Sequence, residues 1–211
     1  IEQTHDLESW KRLLAKMARQ LNRPEEAADW DRQAQELTQA LVETFYFPER
    51  SMFLDVAEGT REIFSGVKGP NMFFPLLLDE LPLPAEEVRR IIEGHMLNPE
   101  EFYRPLPFPS LSYDDPKFDP NGYWRGRIWP HIGFVMLQIL WKHGYHEQAD
   151  HCAEWFLDLY AQTPWFHENY YGAPLEAPER LSGAKHGVAD YNWGHATVIR
   201  LLLRRYREPI C

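Results

Sequence analysis

The chain has 211 residues, 44% of them apolar and 26% charged, which is the composition of a domain able to bury its own core; 14% aromatic residues, 8 Trp among them, exclude disorder. Its 22 Lys+Arg against 32 Asp+Glu leave a formal net charge of −10, which argues against nucleic acid as the main partner and against an anionic membrane surface. No apolar run approaches the roughly 20 residues that span a bilayer, no signal-peptide layout opens the chain, and Cys152 and Cys211 are too few for a disulfide framework.

From Leu7 to Leu21 the apolar residues Leu7, Trp10, Leu13, Leu14, Met17 and Leu21 recur at three- and four-residue steps, which predicts an amphipathic helix with that stripe buried. Pro24-Glu25-Glu26 starts a second helix whose inner face is Ala27, Trp30, Ala34, Leu37, Leu41, Val42 and Phe45; the short connection makes the two an antiparallel pair. Pro48 breaks the pattern, and Phe53-Leu54-Asp55 with Gly59 predicts a short extended excursion or a hairpin. A short apolar helix carrying Pro75 is expected over 71–79. Another opens at Pro84 and runs through Val88, Ile91 and Ile92 to Gly94.

Six prolines between Leu97 and Gly122 exclude a helix there, and Phe102, Tyr103, Phe108, Tyr113 and Phe118 mark the loop as ordered, suited to a site wall. A buried helix follows over Ile128–His143, then its partner over 146–161 through Ala149, Cys152, Ala153, Phe156, Leu157 and Tyr160. A second long aromatic loop spans 163–190. The last helix, Asn192 to Tyr206, is expected to turn Ala196, Ile199, Leu202 and Leu203 inward. The pattern is one all-α domain over 1–211, built of antiparallel helix pairs, with six or seven helices and the long loops gathered at one end.

Three loop segments carry the residues suited to chemistry. Gly122-Tyr123-Trp124-Arg125-Gly126-Arg127-Ile128-Trp129-Pro130-His131 sets aromatic rings and a guanidinium at a helix start, where they either stack a sugar face or wedge the helix. Pro164-Trp165-Phe166-His167-Glu168-Asn169-Tyr170-Tyr171 places one carboxylate among five aromatic rings, with Asn169 and Tyr170 beside it to satisfy its oxygens or hold a water. Asp190-Tyr191-Asn192-Trp193-Gly194-His195 opens the last helix, with Asp190 or Asn192 as its cap.

Taken in order, Pro109-Ser110-Leu111-Ser112, Tyr123 to Trp129, His167-Glu168-Asn169-Tyr170 and Asn192-Trp193-Gly194-His195 resemble the C-terminal signature of glycoside hydrolase family 63. That family includes processing α-glucosidase and mannosylglycerate hydrolase relatives. The resemblance implies an (α/α)6 barrel and an inverting hydrolase of α-glucosidase type acting on a saccharide or glycoside. It implies Glu168 as the general base and Tyr123, Trp124 and Arg125 as the lining of the sugar subsite at the scissile bond. Trp129, His131, Tyr170 and Trp193, in the same segments, complete the expected substrate-binding set. Inversion needs the acid and base about 6.5–9.5 Å apart, leaving room for a water.

This chain supplies only about half the helices of such a barrel, and the family's general acid lies upstream of the matched region. The chain is therefore expected to be the C-terminal half of the catalytic domain, with apolar faces that call for the N-terminal half or for self-association. Asp55, Asp114, Asp115 and Asp190 are the acids near aromatic loops that could substitute for the missing one, Asp114 and Asp115 having more the look of turn formers. Two other functions use the same residues: a carbohydrate-binding helical domain without catalysis, and a sugar isomerase or epimerase on the same scaffold with His131, His167 and His195 as acid and base. His143, His146 and His151 straddle Gly144 and do not converge, so no metal or cofactor is called for. Low cysteine use favours the cytoplasm without fixing the compartment.

Overall fold

Helices carry the fold. The computed structural model describes residues 1–60, 62–64, 66–161, 165–172 and 187–207, and among them the only ladder with named strands is a two-stranded hairpin. The chain divides into two compact units: Ile1–Val67 with Asn71–Gly94, and Lys68–Pro70 with His95–Cys211. No helix among the described residues is long and apolar enough to cross a membrane.

In the first unit α1 (Glu2–Gln20) and α2 (Pro24–Phe45) pack as the expected pair. Pro24 stands at the start of α2, Glu25 and Glu26 complement its dipole, and Asn22 takes the left-handed turn conformation at φ 56°. The buried positions are small or polar: His5, Glu8, Ala15 and Ala18 on α1, and Ala27, Ala34, Thr38 and Leu41 on α2. Thr38 Oγ1 and Arg12 Nε donate to the buried Glu8 carboxylate at 3.3 and 2.9 Å, so its charge is compensated. Lys11 Nζ donates to Gln33 Oε1 at 2.6 Å and Arg19 pairs with Asp31.

The expected inward stripe of α1 is thus corrected. Leu7, Trp10, Leu13, Leu14, Met17 and Leu21 are all exposed, Trp10 at 69% and Leu21 at 62%. Alanines let two helix axes approach closely, and the polar pairs to α2 lie along that same face. The bulky residues fall on nearly the opposite side of the helix.

After α2 come β1 (Tyr46–Phe47) and β2 (Met52–Phe53), antiparallel with Tyr46 opposite Phe53; this hairpin lies upstream of the segment expected from Phe53 to Gly59, where Val56 and Ile63 form only an isolated antiparallel bridge. The apolar run Pro70–Leu77 is a 3₁₀ helix, because Pro75 has no N–H for an α ladder. It buries Met72, Phe73 and Leu76. α3 (Ala85–Ile91) starts after Pro84 and continues as a wider π turn over Ile92–Met96, past the predicted end at Gly94.

In the second unit α4 (Pro130–Lys142) begins two residues later than expected, since Ile128 and Trp129 are extended. It pairs with α5 (His146–Ala161) through mostly large apolar side chains: Met136, Leu137, Ile139 and Leu140 against Phe156, Leu159 and Tyr160, with the smaller Ala149 and Cys152 also buried. A Cβ at Gly133 would lie 2.2 Å from the Phe156 ring, so only glycine admits that ring to α4. The Cys152 thiol is fully buried, and burial pushes its pKa up. α6 (Asn192–Arg207) packs on both helices.

The inward face predicted for α6 is also corrected. Thr197, Val198 and Leu201 are buried, whereas Ala196, Ile199, Leu202 and Leu203 are exposed, Ile199 at 55%. The packed side includes two arginines, Arg200 over the Phe134 ring and Arg204 over Trp141 at 3.8 Å. Guanidinium groups lie well on aromatic faces, and a hydropathy pattern counts them as solvent-facing.

Candidate functional site

The three segments singled out by sequence meet within the second unit, joined by short backbone bridges. Ile128 and Tyr170 exchange two hydrogen bonds of 3.0 and 2.8 Å, and Ser110 N–H donates to Arg127 O at 2.9 Å. Glu168 N–H donates to Val188 O, and Tyr191 N–H to Phe166 O, both at 2.9 Å. The proline loop, the Glu168 loop and the start of α6 are therefore bound edge to edge. A Cβ at Gly172 would lie 1.9 Å from Gly126 O, a backbone atom with no freedom to retreat. The two loops touch closely there, and glycine at 172 makes that possible.

Glu168 is half-buried and held at both oxygens. Tyr123 Oη donates to Oε1 at 3.0 Å and Asn169 Nδ2 to Oε2 at 3.1 Å. Asn169 therefore does what its place beside the acid suggested. Desolvation and the Glu168 carboxylate both raise the Tyr123 pKa, so the phenol stays a donor at neutral pH.

Tyr123 joins this carboxylate to an aromatic surface. Its ring stands edge-on to Trp129 with centroids 4.8 Å apart, and Trp129 stacks on Trp124 at 3.9 Å with planes 2° apart. Trp129 is 1% exposed and donates Nε1–H to Tyr123 O at 3.1 Å. It supports the platform from below, whereas Trp124 is 53% exposed and offers the surface. Trp193 adjoins Trp129 at 6.1 Å and His131 at 4.0 Å, and Tyr191 stands edge-on to Trp193.

The remaining expected residues are placed as follows. Arg125 is exposed and pairs with Asp119 at 3.6 Å, not with Glu168. Tyr170 is fully buried, and its hydroxyl accepts from His167 N–H at 3.0 Å, so it braces the loop. His131 Nδ1 is buried without a hydrogen-bond partner among the described residues, and burial pulls the ring's pKa down to about 4. His131 is therefore neutral at pH 7. Buried His167 faces Gly187 O through Nδ1, and His195 lies 3.0 Å from Asp190 through Nε2.

The substitute acids fare poorly. Burial acts to raise the Asp114 pKa, but Lys68 and Ser112 outweigh it and hold the carboxyl below its usual range. A general acid needs the opposite shift. Asp115 is a turn former as expected, accepting from Lys117 N–H at 2.8 Å. Asp114 is not; it is an ion-pair partner. Asp190 is exposed and engaged with His195, and Asp55 is exposed and accepts from Asn71 Nδ2 at 3.4 Å. Pro164, Cys211 and the centre of the 163–190 loop lie outside the described residues.

Sequence reasoning gave Arg127 no role, yet it is the guanidinium tied to the Glu168 loop. Nη1 donates to Asn169 Oδ1 at 2.7 Å, Nη2 to Asn121 Oδ1 at 2.6 Å and Nε to Asn121 O at 3.1 Å. Its partner at 169 is distant in sequence, and nothing in the local pattern separates it from Arg125.

Residues 9–194 match the family described as mannosylglycerate hydrolase MGH1-like glycoside hydrolase domain. A mannosylglycerate hydrolase of Rubrobacter radiotolerans is 25% identical over 198 residues, covering 92% of this chain and 41% of that protein. The crystal structure of the family 63 mannosylglycerate hydrolase from Thermus thermophilus in complex with glucose superposes with a TM-score of 0.72 at 20% identity, covering 95% of this chain and 46% of the other. The same enzyme with Tris and D-glycerate gives 0.70 at 19% identity, covering 95% and 45%. The chain thus spans less than half the length of these relatives.

Proposed function

The chain belongs to the mannosylglycerate hydrolase MGH1-like glycoside hydrolase family, a family 63-like group, and from that premise we propose that it is the C-terminal portion, residues 1–211, of an (α/α)6 catalytic domain that cleaves a glycosidic bond with inversion. The observation that carries this reading is the Tyr123–Glu168 hydrogen bond, which joins the carboxylate of the Trp165–Tyr171 segment to the Trp124 platform. In this reading a sugar stacks on the outer face of Trp124 with its anomeric carbon toward Glu168. Glu168 takes a proton from water, the water oxygen bonds to that carbon, and the glycosidic oxygen leaves with a proton from a general acid. None of the substitute acids in this chain has the surroundings for that acid, so we assign it to the part of the domain that the longer relatives possess.

The exposed stripe of α1 supports the same division. Six large apolar side chains on one helix face form a surface of the kind that proteins cover. Further helices of the domain are its occupant, with a second copy of the chain as the substitute when they are absent. Sedimentation of the 211-residue chain as a monodisperse monomer, stable at high concentration, would count against this.

A mannosylglycerate, for which the relatives are named, is the first substrate to test, followed by α-glucosides. Glu168→Gln should lower kcat by about 10²–10⁴-fold and leave sugar binding nearly intact, because an amide accepts no proton from water. NMR of the first product anomer should show inversion. Retention, or an active Glu168→Gln enzyme, would defeat the proposal; loss of sugar binding equal to the loss of turnover would favour a structural role.

A further inference from the structure

Arg127 sits two residues beyond the exposed Arg125, yet its guanidinium is turned the other way, into the junction of the loops. Three of its N–H groups are engaged, two by Asn121 and one by Asn169. A guanidinium has donors only, so the atom of the Asn169 amide that it meets must be the oxygen. That choice settles which end of the amide faces Glu168. The NH₂ group is left toward the carboxylate, and it donates to Oε2 at 3.1 Å. Asn169 is fully buried, and its backbone carbonyl accepts from Gly187 N–H at 2.9 Å.

We propose that Arg127 is a positioning residue for the general base: acting through Asn169, it locks the second oxygen of Glu168, while Tyr123 fixes the first. This inference rests on the reading of Glu168 as the base. With one donor on each oxygen the carboxylate plane has a single orientation, and the remaining lone pairs are free to receive the attacking water. Without the guanidinium the Asn169 amide is free to turn its oxygen toward Glu168. Two acceptors would then face each other, and the carboxylate would swing away. A base that wanders loses the alignment on which proton transfer depends, while the sugar platform at Trp124 is untouched. The expected signature is a fall in kcat with KM preserved.

Two measurements test it. In NMR spectra of the 211-residue chain, the Asn169 side-chain amide, identified as the pair missing from N169D, should exchange slowly with water. R127M should abolish that protection and R127K should restore part of it; an unprotected amide in the wild-type chain overturns the relay. In the complete catalytic domain, R127M should lower kcat about tenfold to hundredfold with KM changed less than about threefold. N169D keeps a partner for Arg127 but sets a carboxylate against Glu168, so it should lose at least as much while melting near the wild-type temperature. Wild-type kcat in R127M, or a fall in kcat and melting temperature with a rise in KM in both variants, overturns the relay. The underlying reading fails separately: an active Glu168→Gln enzyme removes the general base whatever Arg127 does, whereas an inert one beside a fully active R127M removes only the relay.

Discussion

The two helix hairpins are built on opposite plans. In α1–α2 the facing residues are alanines and compensated polar groups, and the bulky apolar side chains look outward. In α4–α5 the bulky residues face inward and glycine at 133 admits a phenyl ring. Both plans satisfy the same helical periodicity. Period therefore identifies an apolar face, but side-chain volume and polar pairing decide which face meets the neighbour. The second hairpin owes its stability to its own core, and the first keeps an apolar surface in reserve.

Substitutions should expose that difference. Phe156→Ala removes a ring from the α4–α5 interior and should cost about 3–5 kcal/mol in denaturant unfolding. A loss under about 1 kcal/mol would mean that the interior is looser than its close contacts imply. Gly172→Ala, which drives a methyl group into Gly126 O, should cost about 1–3 kcal/mol. It should also part the two loops, read as a change in tryptophan fluorescence from the Trp124–Trp129 pair.

The second unit also carries a pH dependence. His131 titrates at about 4 when folded against an ordinary 6.5, so the unfolded chain binds the extra proton between those values. Stability should rise with pH across that window and fall as pH drops from 6.5 toward 4. His131→Gln should flatten this part of a melting-temperature profile. Smaller still, Arg205→Ala breaks an exposed pair with Glu154 and should cost under about 1 kcal/mol. Smallest of all, Leu13→Gln on the outer face of α1 should change the stability of this chain by about 0.5 kcal/mol or less. The same change should weaken assembly with whatever covers that face, and equal effects in both assays would dissolve the contrast between the hairpins.

Much of this was legible in the sequence, and the gaps have physical causes. Helix positions followed from apolar spacing and from Pro24 and Pro84, because those signals are local; the start of α4 at Pro130 was placed two residues early, since Ile128 and Trp129 are apolar but extended. The phase of α1 and α6 was not legible, since Ala15 and Ala18 carry little hydropathy and Arg200 and Arg204 pack by stacking on rings. At the site, Tyr123, Trp124, Glu168 and Asn169 stood out by type and motif. Arg127 did not, because its role depends on which of two neighbouring guanidinium groups turns inward. The supporting parts played by Trp129 and Tyr170 likewise depend on depth, which residue type alone does not reveal.

Cys152, sealed among the large residues of α5 with its thiol held in the unreactive neutral form, gives the second hairpin a chemical clock. Once Cys211 is replaced by serine, the chain keeps a single thiol. An alkylating reagent can then reach it only in those moments when α4 and α5 part, so the rate of modification counts the breathing of that pair, one opening at a time.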